Sequence, residues 1–456
     1  MSFTLESFHA ALLAQMPADA TGLVIAYSGG VDSTVLLHAI AALRADLPWP
    51  MRAIHINHQL HPSSTDWAEH CSRVATALGI GFERRDVTLT DTARHGVEAA
   101  ARDARYSALR ERLGQGEVLL TAHHADDQAE TLLLALMRGT GVRGLAGMPQ
   151  RRRFGRGWHA RPLLAYRRPA LTEWASAHSL TWIDDPANAS ARFSRNFLRA
   201  DILPRLEARW PHATEHLQRA ASHLAESSEL LDDLARIDHA HCGLGSALDA
   251  ARVQALSDAR QRNLLRWWLR EHGVRAPSAA LLSDLRQSFA VAAEDRVPHV
   301  DVEGVRVFRH REVLYAEPIE RLFAIPTAGQ WHWREPFDLP QGAGQLRAVS
   351  ARGEGLSRER LPASLDVRFR TGGERLQLPG MKVHRTLKNL LQEADVVPWW
   401  RERIPLLYAG ERLCAVADLW IDAELQADPD APSVKIVWEN RPALIARRHL
   451  TGAHSA

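Results

Sequence analysis

Residues Leu23–Ile40, "LVIAYSGGVDSTVLLHAI", run an apolar strand into Ser-Gly-Gly and straight on into an apolar helix. An ordinary turn needs one residue tolerant of positive φ, not two adjacent glycines flanked by Ser28 and Ser33. Something has to come close to that backbone. The two glycines let the N–H groups of Ser28-Gly29-Gly30-Val31-Asp32-Ser33 approach an anion. The helix that starts near Ser33 adds its unpaired donors and positive end, and the hydroxyls of Ser28 and Ser33 add more. A plain strand-to-helix turn with Ser33 as N-cap is the bland alternative. The stretch reads instead as a phosphate loop, though not the Walker type, because the Lys of GxxxxGK[ST] is missing.

The same alternation continues outward. Strands are expected at 22–28, 52–57, 82–89 and 117–124, with helices at 33–43, 66–78, 97–113 and 125–138. Strands spaced by helices imply βαβ units and a largely parallel sheet covered on both faces. From about Leu198 to Arg286 the apolar spacing is helical, and a strand-rich patch, "HVDVEGVRVFRHREVLYAE", follows. Pro, Gly and polar residues thicken between Pro326 and Pro362, and short strands then surround one helix near Thr386–Ala394. The expected division is an α/β domain carrying the phosphate loop over 1–215 and a mainly helical domain over 216–325. A connector over 326–365 and a small α+β domain over 366–445 complete it.

Composition narrows the class. The 456 residues carry a net charge of +2, from 56 basic and 54 acidic side chains, and almost every basic residue is Arg. Cys71, Cys242 and Cys414 lie far apart with no CxxC, which suggests free thiols in a reducing compartment rather than a closely spaced metal or disulfide site. The first 43 residues lack Lys and Arg, and no apolar run approaches the ~20 residues that span a bilayer. The expectation is a soluble, cytoplasmic protein that does not enter a membrane.

Two further constellations fall at the carboxyl ends of strands. "TAHHADDQAETLL" places His123, His124, Asp126 and Asp127 there, with Glu130 four residues beyond Asp126 on one helix face. These carboxylates suit Mg²⁺ on a triphosphate or general-base work, against the simpler reading that Asp126 caps its helix. "HINHQLH" brings His55, Asn57 and His58 to the same edge. Between Val142 and Ala170 lie eight arginines and no acid, with Phe154, Trp158 and Tyr166 interleaved, a composition suited to nucleic acid. Arg151, Arg152, Arg153 and Arg161 belong to it, and Arg192, Arg195 and Arg199 follow. Gly139, Gly141 and Gly144 formally match GxGxxG, but they follow a helix rather than a strand, so no dinucleotide site is implied.

The loop resembles the SGGxDS loop of the PP-loop ATP pyrophosphatases. "HINHQL", "ARDARYSAL", "AHHADDQAETLLLALMRGTGVRGLAGM", "RPLL", "FSRNFLRADILP" and, in the tail, "GGERLQLPG" with "LKNLLQEADVVPWWRERIPLLYAGERLCAVADLWI" are similar to the bacterial tRNA(Ile)-lysidine synthase family. Ala122, His61 and the Phe197–Leu198 pair depart from that family's usual Gly, Arg and RNRIR.

The resemblance implies ligation of free L-lysine to the wobble cytidine of a tRNA(Ile) with a CAU anticodon, at the expense of ATP. The cytosine O2 would attack the α-phosphate, pyrophosphate would leave toward Gly29–Gly30, and the lysine amine would displace AMP. It also implies a homodimer. That amine has a pKa of about 10.4, so roughly one molecule in two thousand is neutral at pH 7 and a proton must be taken. Asp32, Asp126, Asp127 and Glu130 are the open candidates for base, with Asp126 and Asp127 also expected at Mg²⁺. His55, Asn57, His58, His123, His124, Arg102 and Arg105 are expected on lysine or phosphate, the two arginines otherwise paired with Asp103 or Glu98, and Arg401 and Arg403 are expected on tRNA. Thiolation enzymes that share the loop need cysteines this chain lacks, and asparagine synthetases bring a glutaminase domain with a Cys after Met1.

Overall fold

The computed structural model describes residues 2–59, 61–88, 97–184, 194–275, 277–290, 299–323, 328–340, 343–442 and 444. They form two compact units, Met1–Leu230 and Leu231–Ala456.

In the first unit a six-stranded sheet runs β3-β2-β1-β4-β6-β5. Its strands are β1 (Gly22–Ala26), β2 (Met51–Asn57), β3 (Gly81–Asp86), β4 (Glu117–Leu120), β5 (Arg151–Phe154) and β6 (Gly157–Ala160). All neighbours are parallel except the β5–β6 hairpin, which closes one edge. The helices are α1 (Leu5–Ala14), α2 (Val31–Ala42), α3 (Ser64–Ala77), α4 (Val97–Arg112), α5 (Ala125–Met137), α6 (Val142–Leu145), α7 (Arg168–Ala177), α8 (Ser194–Phe197), α9 (Leu203–Arg209) and α10 (Ala213–Cys242).

Strand periodicity explains the layering. Leu23 and Ile25 face a core shared with α1, α2, α3 and α7, through Leu12, Leu37, Cys71 and Leu171 among others. Val24 faces the other way, joining Ile54, Leu119 and Phe154 under Leu109 of α4 and Leu113 just beyond it. Because both faces are covered, the strands read as continuous apolar runs rather than alternating ones. All eight elements expected before residue 140 are present with boundaries shifted by a few residues. The β5–β6 hairpin was not expected. It sets Arg151, Arg152 and Arg153 of the Arg-rich stretch on an edge strand.

In the second unit, α11 (Ala250–Ala255), α12 (Asp258–Glu271) and α13 (Ala279–Ala290) accompany a sheet of β7 (Gly243–Leu244), β8 (Ala247–Asp249), β9 (His299–Val302), β10 (Val305–His310) and β11 (Val313–Pro318). Trp268 and Leu282 pack with Val307 and Leu314 in its core. The span 326–365 is not a loose connector. It contributes β12 (Gly329–Trp331), β13 (Phe337–Asp338), β14 (Gln345–Arg352) and β15 (Leu356–Ser357). β14 pairs antiparallel along its length with Pro432–Glu439, and β12 pairs with Leu365–Val367. The partners lie far away in sequence, so turn residues dominated the local signal. Trp331, Trp400 and Trp438 are buried in the shared core, and Trp399 stacks on Phe308 at 4.0 Å.

Glu317, in β11, is 5% exposed and accepts a hydrogen bond from Trp400 Nε1 at 3.2 Å. Burial pushes its carboxyl up to about 7, with Trp400 and then Arg321 pulling it down. The folded carboxyl therefore holds its proton more tightly than an unfolded glutamate. Its contribution is intact below about pH 4.5 and is lost as pH rises to 7 and beyond. In urea unfolding of the full chain, Glu317→Gln is expected to match the parent at pH 4.5 and to exceed it at pH 8, by on the order of 3 kcal/mol. Equal pH slopes for the two proteins would show that Glu317 is not the source.

Candidate active site

β1 lies between β2 and β4, so the connection direction reverses there, and open parallel sheets gather ligands at the carboxyl ends beside such a reversal. The loop after β1 fills that point. Gly29 has φ +87°, and a Cβ on it would meet Ile183 Cδ1 at 2.5 Å and Cys71 Sγ at 2.9 Å. Its carbonyl accepts from Ile183 N at 2.9 Å and Thr34 Oγ1 at 3.3 Å. The fold itself requires this glycine. Gly30 is different, with φ −70° and ψ 163° as N-cap of α2 and no side-chain cap. A Cβ there would meet only Ser28 Oγ, at 3.7 Å. A side chain at Gly30 would therefore stand in open space beside the start of α2. Ser33 Oγ donates to Gly30 O at 2.9 Å and so accepts from Ser28 Oγ at 2.9 Å, pinning the loop across its width.

The loop after β4 supplies the second half. His124 is the N-cap of α5 and accepts from Asp127 N through Nδ1 at 3.4 Å, while Asp127 Oδ2 accepts from His124 N at 3.1 Å. His124 Nε2 lies 3.4 Å from Asp127 Oδ2 and 3.7 Å from Asp32 Oδ2. Burial opposes its protonation, but Asp127, Asp126 and Asp32 together raise its pKa above the usual value. Asp32 is also raised, by burial first, with His124 and Arg168 pulling it down. Its Oδ1 is buried and unpartnered among the described residues.

A cavity of about 550 Å³ opens over both loops, lined by Gly30, Asp32, His58, Arg105, His123 and Asp127, among others. Three imidazoles on its walls are held neutral. His55 Nδ1 donates to Tyr27 O at 2.9 Å, and burial lowers its pKa. Burial and then Arg105 push His58 down to about 4. His123 bonds Thr121 Oγ1 at 2.8 Å and is held well down by burial, then Arg161 and Arg105. Asn57 is tied to Asp86 at 2.8 Å, and His61 lies flat on Trp67 at 4.7 Å.

Comparison with known proteins decides the family. The tRNA(Ile)-lysidine synthase of Coxiella burnetii is 40% identical over 392 residues, covering 86% of this chain and 87% of its own. That of Alkalilimnicola ehrlichii is 43% identical over 420 residues, covering 90% and 92%. That of Methylococcus capsulatus is 37% identical over 445 residues, covering 96% and 100%. The chain belongs to the tRNA(Ile)-lysidine synthase family. Family models match in three places: the PP-loop domain over 4–206, the TilS substrate binding domain over 248–315 and the TilS substrate C-terminal domain over 365–438. The protein is thus an ATP-using enzyme of that family.

For a lysidine synthase family member, the carboxylates are not equivalent. Only Asp32 and Asp127 of the four line the cavity. Asp126 points away, its Oδ1 taken by Arg167 Nε at 3.1 Å and its Oδ2 by Arg168 N at 2.8 Å. It caps α7 rather than its own helix, and it is absent from the lining of the cavity. Glu130 is fully buried behind Arg199, whose Nε donates to it at 2.7 Å, and Arg195 Nη1 lies 3.6 Å away. Among the described residues no three His, Cys, Asp or Glu side chains gather as a metal cluster.

The arginines separate in the same way. Arg195 and Arg199 turn inward onto Thr131 and Glu130 of α5, and the chain at Leu198–Ile202 widens into a π turn where Pro204 has no N–H for the Ala200 carbonyl. Arg161 is 2% exposed and donates to Pro149 O at 2.6 Å. Arg401 donates to Val396 O at 2.8 Å, and Arg403 to the carbonyls of Trp399 and Leu322. Arg192 and the side chain of Glu98 lie outside the described residues.

Arg167 was not expected, yet it binds Asp126, Glu207 and Glu215 at once. Its only sequence signal was a place in the Arg run. All three cysteines are buried, and burial pushes the Cys71 thiol up to about 12, which removes it as a nucleophile.

The two glycines give separable outcomes. Gly29→Ala forces a left-handed alanine into Ile183 and Cys71, and is expected to cost about 2–4 kcal/mol in thermal or urea unfolding. Gly30→Ala is expected to stay within about 1 kcal/mol of the parent while losing ATP binding in calorimetry. ATP binding unchanged in Gly30→Ala would show that the phosphates do not lie on this loop.

Proposed function

We propose that this enzyme joins the ε-amine of free lysine to C2 of the wobble cytidine in a CAU-anticodon tRNA(Ile), through an adenylated cytidine, with release of pyrophosphate and AMP. Family membership and the open Gly30 cradle at the switch point support this reading. The triphosphate lies over Gly29, Gly30 and the α2 N-terminus, whose donors stabilise charge developing on the leaving pyrophosphate. Cytosine O2 forms a bond to the α-phosphorus as the bond to the pyrophosphate oxygen breaks. The neutral imidazoles of His55, His58 and His123 offer flat, uncharged walls for a splayed base.

In the second step the lysine nitrogen bonds to C2 and the C2–O bond breaks, releasing AMP. The amine first gives up a proton, and we assign its acceptor as Asp127, which faces the cavity beside His124. Asp32, with its unpartnered buried oxygen, fits Mg²⁺, and Asp126, which does not line the cavity, does not. Bound Mg²⁺ supplies neutralisation of the triphosphate, and such ions take only one or two carboxylates from the protein, the rest from phosphate and water.

Pyrophosphate release with purified protein tests the assignment. Turnover is expected only with lysine and CAU-anticodon tRNA(Ile) both present, and not with tRNA(Met). Equal turnover with tRNA(Met), or none dependent on lysine, would refute the substrate assignment. Asp127→Asn is expected to retain formation of AMP-labelled tRNA from α-labelled ATP and to slow lysine transfer at least 100-fold. Loss of both steps together would move the base elsewhere.

A further inference from the structure

The β5–β6 hairpin divides the arginine run by strand alternation. Arg151 and Arg153 fall on the α1 side, where both lie over Trp158 and Arg153 pairs with Asp19 at 3.4 Å. Arg152 and Phe154 fall on the α4 side, and there the surroundings differ. Arg110 of α4 and Arg152 of β5 both lie over the Phe154 ring, at 5.1 and 5.9 Å. Phe154 meets Tyr106 edge-on at 6.0 Å, and Arg102 and Arg105 each lie 5.4 Å from the Tyr106 centroid. Guanidinium groups and rings thus alternate from the edge of the sheet to Arg105 and Tyr106, which line the cavity.

We propose that this ribbon is the track on which the tRNA backbone enters the cavity, with Arg102, Arg110 and Arg152 on successive phosphates and Arg105 at the mouth. The inference rests on the proposed tRNA substrate and adds where that RNA runs.

Three observations favour a polyanion over a merely solvated face. First, Arg102, Arg110 and Arg152 are exposed, and none is ion-paired to a carboxylate among the described residues, although the chain as a whole has 54 acids for 56 bases. Neighbouring Arg112, by contrast, binds Glu83 at 2.7 Å. Second, each guanidinium carbon lies over an aromatic ring, 5.1–5.9 Å from its centroid, a cation–π placement that engages the charge without neutralising it. Third, the field is felt beneath. His159 is fully buried under the ribbon, and burial followed by Arg161, Arg152, Arg102 and Arg105 holds it down to about 2.

The test uses the full-length enzyme with Arg102→Gln, Arg110→Gln and Arg152→Gln, singly and combined. Affinity for CAU-anticodon tRNA(Ile) is measured across salt concentrations, with ATP affinity measured alongside. Each single change is expected to weaken tRNA binding about 3- to 10-fold. The combined variant is expected to flatten the slope of log K against log salt by roughly 0.7–0.9 per lost contact. ATP affinity should hold. A combined variant with parental tRNA affinity and salt slope would overturn the ribbon while leaving the lysine-ligase reading intact. A parent enzyme that neither binds nor turns over this tRNA would overturn both.

Discussion

The site is organised around the backbone of Gly29. Its positive φ turns the chain at the end of a strand buried on both faces, and its carbonyl is held from two directions by Ile183 and Thr34. That clamp fixes where α2 begins, and so where the helix's unpaired donors point. The adjacent Gly30 contributes nothing comparable to the fold. One glycine supports the structure and the other leaves room, a division of labour that a consensus of two glycines conceals. The hydroxyl pair of Ser28 and Ser33 then holds the width of the opening.

Charge at the site is balanced in layers. His124 stands among Asp32, Asp126 and Asp127, and each of these carboxylates is met by arginine from behind: Asp32 by Arg168, Asp126 by Arg167, Asp127 by Arg199. Removing one charge from such a cluster leaves its partners uncompensated in a poorly solvated place, which costs more than an exposed pair is worth. Arg167 carries this constraint outward, since Glu207 and Glu215 share its guanidinium. The segment from α9 into α10 is therefore joined electrostatically to the N-terminus of α5. A change that alters Glu207 or Glu215 would act on Asp126, and through it on the orientation of His124, without touching a substrate.

What could be read from sequence followed the range of the interactions involved. The βαβ order, the phosphate loop and the gathering of Asp32, His123, His124 and Asp127 come from short motifs at strand ends, and local pattern is enough for those. The fates of Asp126 and Arg161 depended on residues about forty and twelve positions away, Arg168 and Pro149. Their chemistry suggested metal and RNA, whereas tertiary partners consumed them. β12, β14 and β15 were hidden because their partners, β16 (Leu365–Arg368) and β17 (Pro432–Glu439), come later in the chain than the segment itself. The Trp399–Trp400 pair belongs to the core, as tryptophan usually does.

Under the proposed function, a cavity of about 550 Å³ has room for a nucleotide and one splayed base but not for most of a tRNA. Two tRNAs that present the same CAU anticodon offer it the same wobble cytosine, so nothing inside the cavity can favour one over the other. Discrimination of a hundredfold requires about 2.7 kcal/mol of difference between the two complexes, and that difference has to arise on surfaces away from the reacting atoms. Nonspecific phosphate contacts, which treat all tRNAs alike, raise both affinities equally and leave the ratio unchanged. The arginine ribbon can therefore deliver the anticodon but cannot choose it. Selectivity must come from contacts that read the tRNA body, and their energy must be felt in the adenylation step rather than in binding alone.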